Sequence, residues 1–179
     1  SQNNKIITNM LKRLFALTLS LCLAMSAAAQ ESAAPSILPK PSKVQMGNIN
    51  SRFEFNRDTR IVCKFDDKEV KFALAELDRL TVEILGKRLK RSSKVNGHNH
   101  IIIRHDGSVK PEGYILDITP ENIIIKASNA AGVFYAVQTL KQTVPVQAYE
   151  TPLDLEKITL PTMTVSDAPH FGYRGFMLD

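Results

Sequence analysis

Residues 114–144 read YILDITPENIIIKASNAAGVFYAVQTLKQTV. The stretch changes period part-way through, and that change decides the fold. Tyr114, Leu116 and Ile118 alternate with Ile115, Asp117 and Thr119, which is the two-residue period of a half-buried strand. Pro120, Glu121 and Asn122 then make a tight turn into a second, Ile-rich strand, so the pair reads as a hairpin. From Asn129 the period becomes helical. Asn129 is a natural N-cap, because its side-chain oxygen can accept from a free N–H of the first turn. Val133, Val137, Leu140 and Val144 fall at steps of four, three and four on one helical face. Pro145 ends that helix, since it has no N–H to continue the ladder.

Upstream, residues 52–55 and 60–65 read as short strands with a polar turn between them. Between Glu69 and Arg91 the period is helical again, with Val70, Ala73, Leu77, Leu80 and Ile84 on one face. Lys87, Arg88, Lys90 and Arg91 crowd the expected end of this helix, where cations suit the helix dipole, and read as a solvated terminus. His100–His105 is a strand, followed by a turn-rich connection. Downstream, 147–157 is polar connection, 158–169 is extended, and YRGFMLD at 173–179 looks like one more strand. The order predicts an α+β domain of two layers, with two helices on one face of a mainly antiparallel sheet. Its expected span is 44–165, preceded by a Pro/Ser/Ala-rich linker over 30–43.

The composition is ordinary for a globular protein: 44% hydrophobic and 23% charged over 179 residues. The net charge of +5 is uneven. Three of the 23 basic residues (Lys5, Lys12, Arg13) and none of the 18 acidic ones lie in the first 29. That distribution argues against nucleic acid as a partner. The same segment has a cationic pair, an apolar run from Leu14 to Ala24 and the small residues SAAAQ, which together describe a secretory signal peptide over 1–29. Met10 is a plausible start, with 1–9 as upstream residues. The apolar run is shorter than the roughly 20 residues a membrane span needs. The alternative is a buried N-terminal helix. Cys22 has Leu21 before it, which does not suit lipidation, and Cys63 in RIVCKF reads as a buried small residue.

Motif chemistry yields no active site in this stretch. His98, His100 and His105 do not make a zinc set and read as surface loop histidines. There is no phosphate-binding loop, nucleophile elbow or dinucleotide fingerprint. Gly132 reads as a position of close helix–sheet packing. Asp66, Asp67 and Asp117 read as turn and strand-face residues. No cofactor and no metal site is expected.

Two stretches carry a resemblance. EGYILDITPENIIIKASNAAGVFYAVQTLKQ at 112–142 is similar to the N-terminal domain of family 20 glycoside hydrolases, and ILPKPSKVQM resembles the approach to it. DAPHFGYRGFMLD resembles that family's junction, Asp-x-Pro-x-Phe-x-x-Arg-Gly with an apolar pair and Asp. The resemblance implies that 166–179 begins a (β/α)8 barrel that needs about 250 residues, so the chain looks like a truncated β-N-acetylhexosaminidase. It implies removal of terminal GlcNAc or GalNAc from glycans with retention, the substrate's acetamido group acting as nucleophile. The Asp-Glu pair that assists would lie beyond residue 179, so no catalytic residue is expected here. Arg174 matches an arginine that binds sugar hydroxyls. Asp179 matches a strand-end aspartate that either lies by the pocket or holds Arg174 in place. Gly175 is expected to be steric. The expected location is periplasmic or extracellular, after export. Two alternatives stay open: a stand-alone carbohydrate-binding or accessory module, and the leading domain of another glycosidase family.

Overall fold

The computed structural model describes residues 35–150 and 157–168. The chain divides into two units, Ser1–Ala33 and Ala34–Asp179, and every described residue belongs to the second. Its strands are β1 (Lys43–Met46), β2 (Arg52–Asn56), β3 (Arg60–Lys64), β4 (Lys90–Arg91), β5 (His100–His105), β6 (Tyr114–Ile118), β7 (Asn122–Ala127), β8 (Lys157–Pro161) and β9 (Met163–Asp167). Its helices are α1 (Val70–Leu85), α2 (Ala130–Thr143) and the single turn α3 (Gln147–Glu150). No described helix is long and apolar enough to cross a membrane.

Seven strands form one sheet in the order β1-β9-β6-β7-β5-β3-β4, and β2 pairs with β8 in a separate ribbon. Four of the seven ladders are antiparallel, and β7-β5, β5-β3 and β3-β4 are parallel. The expected hairpin is present: Thr119 N–H donates to the Asn122 carbonyl at 3.0 Å, and Thr119 Oγ1 accepts from Asn122 N–H at 3.0 Å. The parallel block follows from this hairpin. β7 folds back between β6 and β5, and so runs in the direction of β5.

Register sorts the side chains into two faces. Ile61, Ile101, Ile123, Ile118 and Met163 are aligned across five strands, as are Cys63, Ile103, Ile125, Leu116 and Val165. These residues join one core with Val70, Ala73, Leu77, Leu80 and Ile84 of α1 and with Val133, Val137 and Leu140 of α2. Both helices therefore cover the same face. Each helical residue read as a face residue is buried. Burial of that kind is worth about 1.5–3 kcal/mol for each large side chain.

Three details depart from the sequence reading or go beyond it. The first helix stops at Leu85, not near Arg91. Gly86 closes it in the left-handed conformation (φ 67°) and donates its N–H to the Val82 carbonyl at 2.9 Å. The basic cluster therefore lies beyond the last turn, and Lys90–Arg91 forms β4. β2 and β3 do not pair with each other, because β2 takes β8 and β3 joins the large sheet. The extended run after residue 157 is two strands in different sheets, divided at Thr162.

Gly132 behaves as expected. A Cβ there would lie 2.1 Å from the Gly113 carbonyl oxygen and 3.0 Å from Ala127 Cβ. No larger residue fits without moving backbone. Asn129 accepts from Gly132 N–H at 3.0 Å and caps α2. Asp67 ties the two helix starts together, accepting from Glu69 N–H at 2.9 Å and Ala130 N–H at 3.2 Å. A carboxylate at a helix N-terminus is favourable there.

Candidate functional site

The last described strand, β9, ends at Asp167, which borders the same cavity as Phe134 and Gln138 of α2. The Asp167 carboxylate accepts from Ser42 N–H at 3.0 Å and Ser42 Oγ–H at 2.6 Å. Leu38 is held by an amide clamp: its N–H donates to Gln142 Oε1 at 2.7 Å, and Gln142 Nε2 donates to its carbonyl at 2.9 Å. The strap at 37–42 is thus fastened to both α2 and β9. Between strap, α2 and β6 lies a cavity of about 430 Å³, bordered by Tyr114, Phe134, Gln138, Glu112, Asp167 and Ala168. Tyr114 is buried, and its hydroxyl shares a 2.6 Å hydrogen bond with Thr139 Oγ1. Burial raises the Tyr114 pKa above the usual phenol range, with the Thr139 bond opposing and the Asp167 charge adding to the rise. The phenol therefore stays neutral and packs as a hydrogen-bonded wall.

Two of the three carboxylates on the cavity wall are engaged within the domain. Asp167 is committed to Ser42, and Glu76, also on the cavity wall, is paired with Arg79. Asp117 accepts from Thr164 Oγ at 2.9 Å, a strand-face role as expected. Cys63 faces the core from β3. Burial raises its pKa against smaller opposing effects from Arg91 and the Phe65 backbone, so the thiol is not an activated nucleophile.

The histidine reading needs one correction. His98 and His105 are exposed, but His100 is only 3% exposed at the start of β5, and its Nδ1 has no hydrogen-bond partner. Its N–H donates to Asn122 Oδ1 at 3.0 Å, which draws the residue into the sheet instead of the loop. Arg174 and Asp179 both lie outside the described residues, as does the strand expected at 173–179.

Residues 34–168 match the family model for glycosyl hydrolase family 20, domain 2. The chain belongs to glycosyl hydrolase family 20. Among curated relatives of this family 20 domain is a β-hexosaminidase of Porphyromonas gingivalis, 32% identical over 146 residues. The match spans 80% of this chain and 18% of that protein. An N,N'-diacetylchitobiase of Vibrio harveyi is 39% identical over 70 residues, covering 39% of this chain and 7% of its own. Among solved structures, Streptomyces plicatus N-acetyl-β-hexosaminidase, in complex with Thio-NAglucal, superposes with a TM-score of 0.66 at 30% identity. It is covered over 28% of its length by 79% of this chain. The family 20 domain described here thus corresponds to a minor part of each relative's length.

Sequence reasoning did not find the Gln142–Leu38 clamp, the Ser42–Asp167 bond or the Tyr114–Thr139 bond. These join residues 104, 125 and 25 positions apart.

Proposed function

We propose that the chain is the non-catalytic leading part of an exported β-N-acetylhexosaminidase that removes terminal GlcNAc or GalNAc from glycans. The family assignment over 34–168 carries this reading, together with relatives that are β-hexosaminidases. In this reading 166–179 is the junction with a (β/α)8 barrel, where chemistry sits beyond the strand ends. Arg174 donates to hydroxyls of the terminal sugar, and Asp179 orients Arg174 or borders the pocket. The acetamido oxygen of the substrate attacks its own anomeric carbon. An Asp of the barrel orients that group, and an adjacent Glu protonates the leaving oxygen. No adjacent Asp-Glu occurs among the 179 residues. The described domain then serves as a dock. Its chain exit, the strap and the outer side of α2 adjoin one another, so the barrel packs against α2.

The test is an assay of the 179-residue chain with a chromogenic N-acetylglucosaminide. No turnover above buffer is expected. Turnover that survives purification and disappears in Arg174→Ala would place the chemistry within these residues and overturn the reading.

A further inference from the structure

The face of the sheet opposite the helices carries an unusual arrangement of charge. Lys64, Arg104 and Lys126 are aligned on adjacent strands β3, β5 and β7. Four residues back on β3, Arg60 is aligned with Lys90 on β4 and, on its other side, with the buried His100 on β5, which is in turn aligned with Asn122 on β7. The row between them is Val62, Ile102 and Ile124. All of these side chains alternate away from the face that carries the core, and Val62, Ile102 and Ile124 are absent from that core. Adjacent strands are about 4.8 Å apart, and the two cationic rows stand about 13 Å apart along the strands.

Like charges directly opposite one another in a sheet are destabilising, so such a row costs stability unless something negative meets it. Among the described residues the cations in ion pairs are Lys71, Arg79, Arg91 and Lys157, and none of the five cations in these rows is among them. Asp106 senses Lys126, but its carboxylate already accepts from Ser108 N–H at 3.0 Å and Ser108 Oγ–H at 2.6 Å. Asp117 on β6 lies on this same face, aligned with Ile124, and accepts from Thr164 Oγ1 at 2.9 Å, whereas the acids of α1 lie on the other side of the sheet. Arg91, the neighbour of Lys90, points to that side and pairs with Asp78 at 2.8 Å.

We propose that this open sheet face binds a linear anionic glycan, one bearing sulfate or carboxylate groups, along the Lys64–Arg104–Lys126 row. The cationic rows supply the charge complement to an extended polyanion. The aliphatic row between them is recessed, with Val62 fully buried and Ile102 and Ile124 half-buried. Ile102 and Ile124 offer a small dry floor for sugar C–H groups but nothing that protrudes into acyl chains, which disfavours a membrane surface. The one aromatic ring in these three rows, that of His100, is buried, and none is exposed for base stacking, which disfavours single-stranded nucleic acid. The choice of a glycan among polyanions rests on the hexosaminidase reading above, whereas the charge rows stand without it.

The experiment titrates a fully sulfated heparin octasaccharide into the 179-residue chain by calorimetry. Chitohexaose, a single-stranded oligodeoxynucleotide and phosphatidylglycerol vesicles serve as competitors of other chemistry. Two variants carry the same change of net charge: Lys64→Glu/Arg104→Glu on the row, and Lys71→Glu/Arg79→Glu on α1. Heparin is expected to bind in low salt, to weaken steeply as salt rises, and to bind about tenfold or more weakly to the row variant alone. Amide exchange of the unmodified chain, with and without heparin, should show protection confined to β3, β5 and β7. This second readout holds even where the row variant fails to fold. Equal loss in both variants, protection elsewhere, or no heparin binding would overturn the site. Tighter binding of DNA, vesicles or neutral chitohexaose would overturn the ligand class. An inactive full-length enzyme that still binds heparin here would fault the hexosaminidase reading and leave the site standing.

Discussion

The two helices share one core and have unlike outer sides. α1 carries five charged residues, Lys71, Glu76, Asp78, Arg79 and Glu83, several of them in ion pairs. Its exposed Phe72 lies beneath the Lys71 ammonium, 4.9 Å from the ring centre. α2 carries one charged residue, Lys141, and has no fully exposed residue. Its outer side presents Phe134, Tyr135, Gln138 and Gln142 to the strap and the cavity. The contrast separates a helix finished for water from one finished for cover. Charged ion pairs on α1 add little stability at such exposure, so their value is solubility. The aromatic and amide groups of α2 become useful once something packs on them.

This contrast can be broken at several points. The largest effect is expected at Gly132. Gly132→Ala should lower stability by about 3 kcal/mol, because backbone oxygen occupies the site of the new methyl. Ala75→Gly on the exposed side of α1 should cost only about 1 kcal/mol. Denaturant titrations of both would decide, and a neutral Gly132→Ala would mean that helix and hairpin are not in contact as described. Tyr114→Phe should cost about 1–2 kcal/mol by stranding the buried Thr139 hydroxyl. The matching change on α1, Arg79→Ala, should stay within about 0.5 kcal/mol. Gln142→Ala should cost about 1 kcal/mol and speed amide exchange at Leu38, leaving α1 unaffected.

The pH response has a definite sign. Tyr114 and Tyr149 both have pKa values raised, in each case chiefly by burial. A raised folded pKa means that the unfolded chain loses its phenolic protons first as pH rises. Stability is then fully present below the unfolded tyrosine pKa of about 10 and falls as pH climbs from there through the folded values. Tyr114→Phe should flatten that alkaline loss, as measured by thermal unfolding between pH 8 and 11.

Much of this fold was legible because its signals are local. The hairpin at 114–127 announced itself through alternation and a Pro-Glu-Asn turn, and α2 through Asn129, its apolar face and Pro145. Gly132 was legible too, as a glycine in the first turn of a helix that packs on a sheet. What was not legible depends on partners far along the chain. Nothing in RFEFN says that it pairs with KITLP, 103 residues away, instead of the neighbouring RIVCK. The first helix ran too long in the reading because the basic residues after Gly86 mimic a favourable last turn. His100 was misplaced because its burial comes from Asn122 on another strand. The cationic row is invisible in one dimension, where Lys64, Arg104 and Lys126 are single residues at three strand ends.

The most direct measurement compares amide exchange in the 179-residue chain with that in the gene product read past the codon for Asp179. The account predicts added protection in the longer protein across α2 and the strap at 37–42, with α1 unchanged. Added protection on α1, with α2 and the strap exchanging as before, would contradict it.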